Sequence, residues 1–224
     1  MGRILTLGEI MLRFSTPVGD RLGESHQLLA HYGGGEANVA ISLANFGHDV
    51  SYASKVPDNA LGYGVKKHLH AYQVKTDFLL LGGPRLGTYY LETGVGQRPA
   101  SVIYDRAHSS FADMNIEEWD LETLFKGVTL FHISGITAAL SQSWQVATLK
   151  LIQTAKEKGC KISFDINYRG KLWTQEEAGE FLKQVLPHID YCSAGSLDAR
   201  YLLGIDEKNN SENQTIKGYF ESNG

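Results

Sequence analysis

The sequence predicts an α/β fold, with a mainly parallel sheet covered on both faces by helices and a small β-lid beside it. Three observations predict it. Short apolar runs alternate with helix-period segments along most of the chain. Glycines stand where several of those helices should stop. A β-rich pair of runs around residues 88–104 breaks the alternation in the manner of an inserted hairpin.

The elements follow in order. Residues 4–7 read as a strand. Residues 36–46 read as a helix, with Ala37, Ala40, Ile41 and Ala44 on one stripe and Gly47 at the C-terminal cap. Residues 50–55 form the next strand, 62–72 a helix and 76–81 a strand. Further on, 129–133 (strand), 142–158 (helix, closed by Gly159), 161–165 (strand), 176–186 (helix) and 189–193 (strand) complete βαβ units. Residues 9–32 lack helical periodicity. Residues 88–93 and 101–104 are β-rich and are separated by Gly94-Val95-Gly96-Gln97-Arg98-Pro99, which predicts a hairpin with an open loop. The α/β core is therefore assigned to 1–9, 35–86 and 107–224, and the lid to 10–34 and 87–106. The polar tail 206–224 is expected to be a loop leading into a further strand.

Composition narrows the function classes. The chain has 224 residues, 42% hydrophobic and 21% charged, enough to bury a globular core. Net charge is −4, with 21 Lys and Arg against 25 Asp and Glu. No basic excess is available to neutralise nucleic-acid phosphates. The apolar run after Met1 is too short for a signal peptide, and no segment reads as a membrane span. Cys160 and Cys192 have no CxxC spacing, which fits a reduced, cytoplasmic protein with two small apolar side chains. The eight histidines show no HxxxH or Cys/His pairing, so a tightly held transition metal is not expected.

The sharpest motif is Tyr32-Gly33-Gly34-Gly35-Glu36-Ala37-Asn38-Val39-Ala40. Glycines before a helix start permit positive φ and close backbone approach to a ligand. The first-turn N–H groups favour oxygen-rich or anionic ligands. Asn38 offers a donor and an acceptor to a hydroxyl. The same glycines equally fit a plain tight turn. The motif is not a dinucleotide fingerprint, because Asn38 stands where the third glycine belongs, and no Gly-Lys-Ser/Thr follows to make a Walker A loop. Asp165 ends an apolar strand, where α/β sheets hold ligands. Arg169 follows it, a planar cation suited to a carboxylate or phosphate.

Gly-Gly-Gly-Glu-Ala-Asn-Val-Ala (33–40), after Leu-Gly-Glu-Ile-Met-Leu-Arg-Phe (7–14) and before Pro-Asp-Asn-Ala-Leu-Gly-Tyr-Gly (57–64), resembles the opening of ribokinase-type (PfkB-family) sugar kinases. Phe131-His132-Ile133-Ser134-Gly135-Ile136 is similar to the family's strand and turn beside the substrate. Phe164-Asp165-Ile166-Asn167-Tyr168-Arg169, with Leu172-Trp173, resembles the DxNxR…LW segment of 2-keto-3-deoxygluconate kinases and some fructokinases. The resemblance runs from about residue 8 to 204, in fixed order.

The resemblance implies a ribokinase-like three-layer αβα sandwich and ATP-dependent phosphorylation of a primary hydroxyl, with ATP and Mg²⁺ as cofactors. The favoured substrate is 2-keto-3-deoxygluconate; fructose or another neutral sugar is the alternative. Substrate contacts are implied for Gly33, Gly34, Asn38, Tyr89, Tyr104, Arg106, Ile136, Asp165, Asn167 and Arg169. Arg106 would face the carboxylate or keto end, and Arg169 the transferred phosphate. Tyr90, on the other face of its strand, is read as structural. The family's late Gly-x-Gly-Asp motif, carrying the catalytic base and an anion hole, does not occur in these 224 residues. That leaves a non-catalytic sugar-acid-binding module as a further alternative. The family's Asn-x-x-Glu segment reads Gly195-Ser196-Leu197-Asp198 here, so Asp198 is the Mg²⁺ candidate, acting through water. Pairing of two lids in a homodimer is expected to cover their edges.

Overall fold

The computed structural model describes residues 2–205; the tail 206–224, with its expected loop, lies outside them. The chain divides into two compact units, Arg3–Asp120 and a second starting at Leu121.

In the first unit β1 (Arg3–Leu7) is followed by β2 (Met11–Ser15) and β3 (Leu29–Gly33), then α1 (Gly35–Asn45), β4 (Val50–Val56), α2 (Ala60–Ala71) and β5 (Leu79–Leu81). β6 (Thr88–Glu92) and β7 (Ser101–Asp105) follow. β1 and β5 both pair parallel with β4. Leu5, Leu7, Tyr52, Val65 and Leu69 are fully buried around this sheet, the continuous apolar content expected of strands covered on both faces. Gly47 takes φ 83°, so α1 stops where the sequence predicts. α2 starts earlier than its periodicity suggests, because the Asn59 side chain accepts from the backbone N–H groups of Leu61 and Gly62 at 2.9 and 3.3 Å.

Residues 9–32, without helical periodicity, contain two strands. β2 and β3 form an antiparallel pair, β2 lies parallel to β6, and β6 and β7 form the predicted hairpin. The result is a four-stranded sheet in the order β3-β2-β6-β7. The segments 10–34 and 87–106 thus share one sheet, although residues 35–86, with two core strands and two helices, separate them in the chain.

The second unit comprises α3 (Leu121–Phe125), β8 (Val128–Ser134), α4 (Gly135–Ala138), α5 (Gln142–Glu157), β9 (Lys161–Asp165), α6 (Gln175–Val185), β10 (Tyr191–Ser193) and α7 (Ser196–Leu203). β8, β9 and β10 pair in parallel. Ser141 caps α5, and Thr174 with Glu177 forms a capping box on α6. Phe131, Ile133, Leu151, Ile162 and Phe164 are fully buried here. Parallel strands linked by helices establish the mainly parallel α/β architecture in both units. No helix among the described residues is long and apolar enough to cross a membrane.

Candidate functional site

The glycine motif works by contact rather than by positive φ. None of Gly33, Gly34 and Gly35 is among the positive-φ glycines, and Gly34 is extended at φ −172° and ψ 149°. A Cβ on Gly34 would lie 2.2 Å from the Glu9 carbonyl oxygen and 3.2 Å from Ile10 Cα. The approach that demands glycine there is to the chain's own backbone. It fixes the start of α1 against the segment between β1 and β2.

That start opens onto a cavity of about 470 Å³. Arg13, His31, Gly33, Asn38, His68 and Tyr89 are among its walls. Asn38, in the first turn of α1, is exposed. Tyr89 pairs with Tyr104 across the hairpin, with ring centroids 5.6 Å apart. Tyr90, on the opposite face, stacks on Phe14 at 5.6 Å. Burial lowers the pKa of His68, so that ring is neutral near pH 7.

Arg106, expected to meet the substrate's carboxylate, is turned onto Glu9. Its Nε donates to Glu9 Oε2 at 2.8 Å, and Nη2 pairs with the same oxygen. Ser109 Oγ donates to the other carboxylate oxygen at 2.6 Å. The Arg106 side chain is only 10% exposed and that of Glu9 3%. Gly87 fits against this group, since a Cβ there would lie 2.4 Å from Glu9 Oε1. Glu9 is the residue that sequence reasoning missed. Its one signal was a lone acid between apolar residues at the end of the first strand.

In the second unit the turn after β8 abuts the loop after β9. A Cβ on Gly135 would lie 2.3 Å from the Ile166 carbonyl oxygen. Ile136, next to it, is half-buried, and Asn167 holds φ 42°, a left-handed conformation that asparagine tolerates. Asp165, at the end of β9, is half-buried. Burial raises its carboxyl pKa and Asp198 adds to the rise, while Arg169, the Asn167 N–H and Ser193 oppose it. Asp198 itself closes the first turn of α7, its Oδ2 accepting from the Gly195 N–H at 3.3 Å. Arg169 is exposed, and its Nη1 donates to the Tyr168 carbonyl at 3.0 Å. Asn167, Arg169 and Asp198 are thus in electrostatic or hydrogen-bonding reach of Asp165. Among the described residues no group of three or more His, Cys, Asp or Glu side chains could hold a metal ion.

A 2-dehydro-3-deoxygalactonokinase of Haloferax volcanii is 35% identical over 203 residues, covering 91% of this chain and 64% of that protein. The chain therefore spans about two thirds of that relative's length. A carbohydrate kinase structure from Listeria grayi superimposes with a TM-score of 0.93 at 44% identity, covering 98% of this chain and 68% of that one. The 2-dehydro-3-deoxygluconokinase of Thermotoga maritima gives a TM-score of 0.92 at 38% identity, covering 99% and 68%. The ribokinase-like α/β fold follows from these likenesses. The model of the pfkB family carbohydrate kinases matches residues 1–223, and the chain belongs to that family.

Proposed function

We propose that this chain is the sugar-handling part of an ATP-dependent kinase that phosphorylates the primary hydroxyl of a sugar acid, with 2-keto-3-deoxygluconate or its galacto epimer as substrate. The observation that carries the reading is the cavity at the start of α1. It combines hydroxyl-binding groups (the Asn38 amide and the Gly33 backbone) with an aromatic wall at Tyr89. The names of the Haloferax and Thermotoga relatives support an acid sugar over a neutral one.

The remaining residues take roles in proportion to their surroundings. Gly34 positions the turn, and Tyr104 extends the aromatic wall. In the second unit Ile136, Asp165 and Asn167 are the candidate substrate contacts. Arg169 and Asp198 serve the transferred phosphate and Mg²⁺. When bound, MgATP supplies the phosphoryl group and neutralises developing charge. The four-stranded sheet acts as a lid. Its exposed Ile103 (57%) and Leu29 (46%) support a homodimer formed through it. The absence of a disulfide at Cys160 and Cys192 supports a cytoplasmic location.

The test is a coupled assay of ATP-dependent phosphorylation by protein carrying this chain. The expected result is turnover of 2-keto-3-deoxygluconate or 2-keto-3-deoxygalactonate with kcat/KM at least tenfold above that for fructose. Equal or better turnover of fructose refutes the acid-sugar assignment.

A further inference from the structure

We propose that Arg13 recognises the carboxylate of the sugar acid and sets the preference for acid over neutral sugars. This deepens the reading above and rests on it.

Arg13 sits in the middle of β2. The register of the four-stranded sheet places it directly between His31 of β3 and Tyr89 of β6, and Tyr89 is opposite Tyr104 of β7. Directly paired residues share a face. His31, Arg13, Tyr89 and Tyr104 therefore form one transverse row on the sheet. Arg13, His31 and Tyr89 all line the cavity that also holds Gly33 and Asn38.

The charge of this row is not compensated from within the unit. Arg13 is half-buried, and its buried Nε has no hydrogen-bond partner. A guanidinium is always protonated, and an unsatisfied buried N–H costs free energy that an anionic ligand returns. Arg106 differs on both counts, because Glu9 neutralises it and takes Nε and Nη2. Arg85, Arg98 and Arg106 near the lid each meet a carboxylate of the protein, whereas Arg13 lines the cavity. His68 does not compete, since burial keeps it neutral.

A carboxylate suits this place better than a further hydroxyl. Arg offers a planar fork of donors that a carboxylate accepts at two oxygens. Tyr89 beside it supplies a ring face and a polar tip to the carbon chain. Asn38 and the Gly33 backbone remain for the hydroxyls. The division explains how one cavity distinguishes an acid sugar from a ketose of the same length.

The experiment is calorimetric titration of the purified protein with 2-keto-3-deoxygluconate and, separately, with fructose, on the unsubstituted protein, Arg13→Gln and Arg13→Lys. Circular dichroism and thermal unfolding check each variant's fold. The expected result for Arg13→Gln is a ten- to hundredfold loss of acid-sugar affinity, the scale of one charge-assisted contact. Fructose affinity stays within about twofold, and Arg13→Lys falls between. An unchanged acid-sugar affinity, or an equal loss for both sugars, overturns the Arg13 assignment while leaving the acid-sugar reading intact. If Arg13→Gln does not fold, the same comparison on Arg13→Lys decides, since a point charge without the fork must still weaken the acid sugar selectively. Failure of the unsubstituted protein to bind the acid sugar overturns the reading and the assignment together.

Discussion

Gly34 and Gly33 are adjacent in sequence and differ completely in what they can accept. A Cβ on Gly33 meets only the Tyr89 hydroxyl, at 3.4 Å, whereas one on Gly34 meets the Glu9 carbonyl at 2.2 Å. Backbone cannot rotate away as a side chain can, so Gly34→Ala forces the β1–β2 segment from the start of α1. We expect it to cost about 1–3 kcal/mol, the usual scale of overpacking. Gly33→Ala should change stability by less than about 0.5 kcal/mol. Urea unfolding of the two variants tests this, and a larger loss at Gly33 than at Gly34 refutes it. Glu9 matters at the same scale. It is a buried carboxylate satisfied by Arg106 and Ser109, and removal of one member of such a buried pair typically costs about 3–5 kcal/mol.

At the scale of elements, β8 carries a titratable group inside the parallel sheet. His132 is 8% exposed, its Nδ1 lies 3.0 Å from Ser163 Oγ on β9, and burial pushes its pKa down to about 4. In the unfolded chain the ring protonates near pH 6.5. The folded state therefore binds fewer protons between those values, and the sign is fixed. The stability is fully present above about pH 6.5 and is lost as pH falls through about 4. The loss from this group alone should be about 3 kcal/mol. His132→Gln should flatten the stability curve over that window, whatever its effect at neutral pH. Equal slopes for both proteins between pH 6.5 and 4 would refute the assignment. Asp190 works in the opposite sense to its own burial. Burial would raise its pKa, but Lys161, the Ile162 N–H and Lys156 pull it to about 2, which ties the start of β10 to β9 and to the end of α5.

For the whole molecule, the lid sheet has two outer strands, β3 and β7, and exposes Leu29, Ile103 and Tyr104 upon them. Unpaired strand edges with apolar side chains associate unless covered. The proposed homodimer meets that need. Sedimentation velocity should therefore give a dimer whose dissociation constant rises at least tenfold in Ile103→Glu, with circular dichroism unchanged. A monomer at every concentration refutes it.

The periodic elements were legible from residues alone. The helices over Gly35–Asn45 and Gln142–Glu157 and the strands Val50–Val56 and Lys161–Asp165 fall within two residues of their expected bounds. Their stripes and glycine stops are local properties of the chain. β2 and β3 were not legible, because β3 pairs with β2 and β2 in turn with β6, more than seventy residues further along the chain. Part of the candidate site was legible in the same way. Asn38 and Tyr89 could be named from motif and position, whereas Arg13 could not, since only the β2–β6 register brings it beside Tyr89.

By itself, then, the sequence determined the α/β alternation, the kinase-family motifs and the residue types able to hold a sugar. Those depend on periodicity and order, which a chain carries whether or not it is folded. Tertiary structure decided the use of each charge. It paired Arg106 with Glu9 across 97 residues and left Arg13 in the cavity wall. The reason is that a charged group's role depends on its partner and on its access to water, and neither is defined until distant segments pack together.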